Sequence, residues 1–328
     1  MTDKILGIDL SYWNYLSPVQ WDLLWTMGVR FVIVRLGYGL SEDKVATTHI
    51  ANARARGMVV HGYYWADPTS NPLTQAEHFR SLVVKHGVTG AWGDFEQYWS
   101  DWAAFDRADW AAVYASRLTP SRLDSFYHTN ATKCKAIMPV PFGIYTAQYV
   151  VRDYSPQMGL WLGEYKLWIA NYVKYFTAWI TLFQSLGIGY PLTTMTDTIL
   201  PKLTNPQMPA GTTQWKIWQF ITSTNFKGLP TQLDFNATYD AATFTEIFGE
   251  QPLPPPPSPI GDVLSQYKVI RCGYLTVRET PSSTAKAVKW LILGTIVKVI
   301  GWNTTKTWAQ IDSGWVSAYY LEAVNNSI

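Results

Sequence analysis

The chain has little of several things that would narrow its class at once. It holds 2 cysteines in 328 residues, Cys134 and Cys272, on opposite sides of a proline-rich run. A structural disulfide between them is not expected, and two thiols are too few for a zinc cluster. Charged residues make up only 15% and the net charge is +2, so there is no bulk electrostatic case for nucleic acid or membrane. No uninterrupted apolar run reaches membrane-spanning length. The stretch from Met1 to Asp9 is too short in apolar residues for a signal peptide, so a protein acting outside its cell of synthesis would need another agent to release it. The 5 histidines, His49, His61, His78, His86 and His128, show no His-x-x-Glu-His or similar spacing, which argues against a metal.

Aromatic side chains, by contrast, are plentiful: 17 Trp and 20 Tyr. Such rings stack on sugar faces and also fill cores, so the excess leans toward carbohydrate without settling it.

From the N-terminus, strand and helix signals alternate. Ile5–Asp9 reads as a buried strand ending in an acid. Ser17 and Pro18 then supply an N-cap and first helical residue, and Gly28 a stop. Phe31–Leu36 is a continuous apolar strand of the kind buried on both faces. A helix over about 43–56, a strand Met58–Tyr64, a helix opened by Asn71-Pro72 and running to about His86, and a fourth strand ending at Asp94 follow. Helices are expected over 106–118 and from Ser121 to about Lys135, then strands at Phe142–Tyr145, Leu167–Ala170, Trp215–Phe220 and Gln232–Asn236, and a helix at Ala241–Phe248. This alternation predicts an α/β fold, a parallel barrel with its chemistry at the C-terminal ends of the strands. The connection over 172–214 is long and aromatic-rich, with a helix expected through about Leu186. Arg35-Leu-Gly-Tyr-Gly39 lacks the spacing of a phosphate loop and reads as a loop. Cys134, near a helix end with no His close in sequence, is expected to be idle.

Gln251–Pro259 is the clearest boundary, a polyproline spacer. Short β-rich runs follow, at Lys268–Cys272, Leu275–Arg278, Ile296–Gly301, Trp308–Ile311 and Gly314–Val316. They predict a small all-β barrel. The expected division is therefore a barrel over 1–250, a linker over 251–261 and a β domain over 262–328.

Asp94-Phe95-Glu96 carries the chemistry. In a strand these two acids share a face about 6.6 Å apart at Cα, with Phe95 turned away. Paired acids repel, and their pKa values separate into a proton donor and an anion, as a glycosidase requires. Taken alone, so short a motif more often marks two solvated acids at a strand end. Glu96 is the candidate general acid, walled by Trp92, Phe95 and Tyr98. Asp94 is either a nucleophile or the group that orients the substrate's own N-acetyl group. The Cα spacing lies between the carboxyl separations of the retaining and inverting classes and does not choose. Asp9 and Asp234, expected to end the first and eighth strands, would flank the pair. Tyr63, Tyr145, Trp168 and Gln219 are candidates for sugar contact or for the barrel wall.

Taken in order, Gly7-Ile-Asp9-Leu-Ser11, His61-Gly-Tyr63-Tyr-Trp65, Asp94-Phe-Glu96, Gly143-Ile-Tyr145, Leu167-Trp168-Ile-Ala170, Trp218-Gln219-Phe220 and Leu233-Asp234-Phe-Asn236 resemble glycoside hydrolase family 25, the Chalaropsis-type lysozymes, over about residues 4–248. The resemblance implies an irregular β/α barrel that finishes in mostly β connections. It also implies cofactor-free cleavage of the β-1,4 bond between N-acetylmuramic acid and N-acetylglucosamine, with peptidoglycan glycan strands as the partner. Three stretches of the tail, Tyr274–Pro281, Leu293–Val299 and Ser313–Leu321, resemble a bacterial Src-homology-3-like domain, which implies a cell-wall ligand. Tyr274, Trp302, Trp308 and Tyr319 are its candidate exposed groove; alternatively, Trp308 and Trp315 plug the small barrel. The order of modules resembles a phage endolysin, freed to the wall by a holin or by lysis. The sequence departs from the family in two longer connections, 97–142 and 172–214, and in Tyr64-Trp65 where His-Phe is frequent. A non-catalytic wall-binding or virion protein, and an endo-glycosidase on another N-acetylglucosamine polymer, are the competing readings.

Overall fold

The computed structural model describes residues 4–173, 199–222, 229, 233–249, 266–270, 273–303, 305 and 307–324. Two compact units are present. One holds Met1–Tyr15, Gly28–Phe226 and Pro230–Leu253, and the other Leu16–Met27, Lys227–Leu229 and Pro254–Ile328.

In chain order the elements are β1 (Leu6–Leu10), α1 (Pro18–Thr26), β2 (Val29–Tyr38), β3 (Ser41–Glu42), α2 (Ala46–Ala55), β4 (Val59–Trp65), α3 (Pro72–His86) and β5 (Ala91–Asp94). Then come α4 (Trp102–Asp106), α5 (Trp110–Ala115), α6 (Pro120–Ile137), β6 (Phe142–Ala147), α7 (Gln148–Asp153), β7 (Lys166–Ala170), β8 (Ile217–Ile221), β9 (Asp234–Thr238) and α8 (Ala241–Phe248). The expected helix starts are present. Ser17 and Gln20 form a capping box at α1, and Asn71 accepts from the backbone of Leu73 and Thr74 at α3, which closes on left-handed Gly87.

Eight of these strands close a barrel in the order β1-β9-β8-β7-β6-β5-β4-β2, with β1 also paired to β2 and the two-residue β3 appended outside. Pairing is parallel from β1 through β2 to β8, whereas β9 runs antiparallel to both β8 and β1. Asp234 therefore starts its strand rather than ending it. Because β9 is reversed, its first residue reaches the barrel end where the parallel strands finish, and Asp234 pairs directly with Asp9. At the β1–β2 seam a Cβ on Gly7 would run into the Phe31 ring, so glycine there leaves the ring its place in the core.

The barrel interior is one apolar cluster that includes Phe31, Ile33, Tyr63, Trp92, Tyr145, Trp168 and Ile217. α8 extends it at the other end, with Phe248 lying 4.8 Å from Phe31 and 4.2 Å from His61, ring centre to ring centre. The helix expected over 106–118 is confined to α5, and α4 lies ahead of it, where no helix was expected. Ala108 takes a positive φ of 52° between α4 and α5, and Asp109 caps the second through the backbone N–H of Ala112. Cys134 is buried in the last turn of α6, and burial pushes its thiol up. Cys272, the expected linker and the helix expected through Leu186 lie outside the described residues.

The tail forms a wholly antiparallel seven-stranded sheet. Its strands are β10 (Gln266–Val269), β11 (Tyr274–Arg278), β12 (Ala287–Ile292), β13 (Ile296–Trp302), β14 (Trp308–Ile311), β15 (Gly314–Ser317) and β16 (Leu321–Ala323), in the order β12-β11-β15-β14-β13-β10-β16. β12 and β16 are additions to the expected strands. The tail core is aliphatic, from Val269, Leu275, Val277, Leu291, Val299, Ile311 and Val316 among others. Neither Trp308 nor Trp315 plugs it, since both are half-buried. Of the four groove candidates, Tyr274 and Tyr319 are exposed, while Trp302 packs on the core and Trp308 is half-buried. Trp290 is an exposed indole that sequence reading did not single out.

Candidate active site

A cleft of about 770 Å³ opens where the parallel strands end, and all eight predicted site residues line it: Asp9, Tyr63, Asp94, Glu96, Tyr145, Trp168, Gln219 and Asp234. β5 stops at Asp94, so Glu96 stands just past the strand rather than within it. The side-chain alternation persists nonetheless. Phe95 is fully buried and stacks on Tyr127 of α6 at 4.6 Å, which leaves its two neighbours on the cleft side.

The backbone around Glu96 is fixed from several directions. The Phe95 amide donates to the Tyr145 carbonyl (2.9 Å), and the Thr146 hydroxyl donates to the Phe95 carbonyl (2.8 Å). The Tyr127 hydroxyl donates to the Gln97 carbonyl (2.7 Å). The Gln97 side chain, fully buried, accepts from the Trp65 indole and donates to the Trp99 carbonyl, both at 2.9 Å. A carboxyl mounted between such anchors keeps its place without help from a ligand.

On the opposite wall, Asp9 sits in a polar network. Its Oδ2 accepts from Gln219 Nε2 (2.9 Å) and Asn236 Nδ2 (2.7 Å). Gln219 Oε1 accepts in turn from the hydroxyls of Tyr145 (2.9 Å) and Tyr172 (3.0 Å), and Asn236 Oδ1 from the Trp168 indole (2.7 Å). Trp168 is buried and stands edge-on to Tyr63, so both rings are as much barrel core as cleft floor. Asp94 is different: its Oδ1 is buried without a hydrogen-bond partner among the described residues.

Burial dominates the electrostatics, because it penalises the charged form of a carboxyl. It pushes Asp9 well up, as does the neighbouring Asp234 charge, against the two amide hydrogen bonds. It pushes Asp94 well up too, followed by Glu96, while the Arg35 charge pulls the other way. Glu96 is pushed up to about 7, first by burial and then by Asp234. The site thus has a carboxyl poised to hold and release a proton near neutrality.

Several groups of the site escaped sequence reading. Arg35, Asn236 and Tyr172 belong to the site's polar framework, and α4 brings Trp102, Phe105 and Asp106 from the long 97–142 connection onto the cleft wall. A charge inside the apolar run of β2 was the available signal for Arg35. Asn236 sits two residues after Asp234 and so shares its face of β9. Among the described residues no group of three His, Cys, Asp or Glu is arranged to hold a metal ion.

A family model described as glycosyl hydrolases family 25 matches residues 8–186. The bacterial lysozyme of Streptomyces coelicolor superposes with a TM-score of 0.54 at 17% identity, covering 75% of this chain and 97% of that one. The muramidase of Acremonium alcalophilum gives 0.53 at 17%, covering 75% and 100%, and a family 25 lysozyme of Aspergillus fumigatus gives 0.52 at 15%, covering 75% and 99%. At these identities the likeness is one of fold. No curated protein matches the chain.

Proposed function

The chain belongs to glycosyl hydrolases family 25, whose model spans more than half of it, and is a peptidoglycan hydrolase of the lysozyme type; from that premise we propose that it cleaves the β-1,4 bond between N-acetylmuramic acid and N-acetylglucosamine, with Glu96 as general acid. The observation that carries the role of Glu96 is its carboxyl, rigidly mounted in the cleft and pushed up to about 7 beside a second acid. In this reading Glu96 gives its proton to the leaving oxygen as the C1–O bond breaks. Asp94 holds the substrate's N-acetyl group so that its carbonyl oxygen bonds to C1, and the Asp94 charge offsets the cationic ring that forms. Water then adds at C1, returning its proton to Glu96 and reopening the ring. Asp9 and Asp234 shape the charge of the site, and Tyr63, Tyr145, Trp168 and Gln219 support or contact the sugars.

Reducing-end analysis of digested peptidoglycan tests this. Muramic ends are expected; glucosamine ends would assign the enzyme to the other bond, and no new ends would leave the cleft a binding site. If Asp94 instead attacks C1 directly, a slow fluorosugar will label it, and D94N will lose as much activity as E96Q.

We further propose that residues 1–250 are the catalytic domain, 251–261 a linker and 262–328 a Src-homology-3-like wall-binding domain. The separate aliphatic core of the tail and its exposed Tyr274, Trp290 and Tyr319 support this. A tethered second site raises local concentration at the wall without new chemistry. Deleting 262–328 should therefore slow lysis of whole walls far more than cleavage of soluble fragments; equal loss on both would give the tail a stabilising role instead. This module order favours an endolysin, released to the wall by a holin or by lysis, and expression with and without a holin tests that.

A further inference from the structure

Arg35 lies in β2 and is buried, yet it lines the cleft. Among the described lining residues it is the one cation, set against Asp9, Asp67, Asp94, Glu96, Asp106 and Asp234. Its Nε donates to Asp43 Oδ2 at 2.8 Å. Asp43 is buried as well and is held by the backbone amides of Tyr12 (3.0 Å) and Val45 (3.1 Å). The guanidinium also lies 4.7 Å from the Tyr12 ring centre and 5.4 Å from that of Tyr38. One side of the fork is therefore fully anchored. On the other side Nη2 is buried with no partner among the described residues, as is Oδ1 of Asp94. Leaving a guanidinium donor and a carboxyl oxygen unsatisfied inside a fold is costly, so the arrangement needs a reason outside packing.

We propose that Arg35, clamped by Asp43, is a positioning residue that holds Asp94 in its carboxylate form while Glu96 keeps its proton. The proposal rests on the roles given above to Asp94 and Glu96. Burial first, and then almost everything else around Asp94, opposes its charge. Glu96, two residues on in the chain, and Asp9 from β1 both act against it, and Asp234, paired to Asp9, acts on those two acids in turn. Tyr63 of β4, Tyr145 of β6, Tyr127 of α6 and Tyr149 of α7 are the other titratable groups within its field, all neutral, their hydroxyls pushed up by burial. Arg35 supplies the pull in the other direction. Without it, two neighbouring acids would compete for protons on similar terms, and the division into acid and anion would blur.

The test is the pH dependence of kcat on soluble glycan fragments for the full chain, with melting curves to verify folding. The acidic limb reports protonation of Asp94. In R35M it should move up by about one pH unit or more, as expected when an opposite charge is withdrawn from a carboxylate. R35K, which keeps the charge, should leave it near the wild-type position. D43N keeps an amide oxygen for the guanidinium but removes the charge that offsets it, so the limb should move down. An unmoved limb in R35M, an R35K limb displaced as far as that of R35M, or an unmoved limb in D43N overturns the proposal. If R35M does not fold, R35K and D43N still decide it. D94N and E96Q run in the same assay keep the two readings apart. If either cleaves like wild type, the roles of the acids fail; if both are impaired while R35M titrates normally, only the inference about Arg35 fails.

Discussion

The two ends of the barrel bury ionisable groups under the same physics and reach opposite results. Toward the end packed by α8, His61 accepts from the Trp92 indole at 3.0 Å and lies against Phe248, and burial drives its imidazole down to about 3. At the cleft end, burial drives Glu96 up to about 7. Both groups are pushed toward their neutral forms. A neutral imidazole keeps its Nε2 proton at neutral pH and here is buried away from the cleft, whereas a neutral carboxyl beside a substrate is a proton donor. The difference lies in access and neighbours rather than in the degree of burial. His61 lies against the rings of Trp92 and Phe248, with Lys166 the charge in its field, whereas Glu96 shares its cleft with five other acids and one arginine.

Substitutions at the two ends should separate accordingly. The largest effect is expected from E96Q, which keeps the shape of the side chain but has no proton to give. Turnover of soluble fragments should fall about 10³-fold, in the range of lost general acid catalysis, with folding intact by circular dichroism. The next largest is N236A. It removes one of the two donors to Asp9 and the acceptor of the Trp168 indole. Buried groups left unsatisfied in this way cost about 1–3 kcal/mol each, so a lower melting temperature is expected together with a roughly tenfold loss in kcat/KM.

The pH dependence sharpens the comparison further. Because Glu96 must be protonated to act, wild-type activity should decline as pH rises through about 7. Stability carries the matching sign. A carboxyl raised in the fold from 4.5 to about 7 costs nothing below 4.5, where it is protonated in both states, and its full penalty is present above 7. E96Q should therefore melt higher than wild type at pH 8 and no higher at pH 4. The smallest effect on activity belongs to H61L. Stability should drop by about 1–3 kcal/mol as the Trp92 indole loses its acceptor, while the pH–rate profile stays where it was. A displaced profile in H61L would break the distinction between the two ends.

Much of this arrangement is legible in the sequence, and the parts that are not have physical reasons. Capped helices such as α1 and α3 announce themselves, because Ser17-Pro18 and Asn71-Pro72 fix both the start and the first φ. Asp9, Asp94 and Glu96 are legible because each closes or follows a short apolar run. The reversal of β9 is not, since Asp234-Phe-Asn236 reads the same in either direction relative to its neighbours. The break at Ala108 carries no proline or glycine, so the start of α5 reads too early and α4 is not legible as a separate helix. β12 hides because Val288, Trp290 and Ile292 are exposed apolar residues on an edge strand, which blurs the alternation expected of a half-buried strand. Arg35, read as the start of a loop, lies within β2, and its value depends on Asp43, eight residues on, and on Asp94, two barrel strands away. Only the closed barrel brings them to one cleft.

A carbon-13 titration of the Glu96 side-chain carboxyl, in glutamate-labelled protein with the signal assigned through E96Q, tests most directly whether the cleft keeps a proton at neutral pH. A midpoint near 7 is expected, where the carboxyl is both a competent donor and, once emptied, a competent base. A midpoint at the ordinary 4.5 would mean that Glu96 is already ionised at neutral pH, and would contradict its role as the general acid.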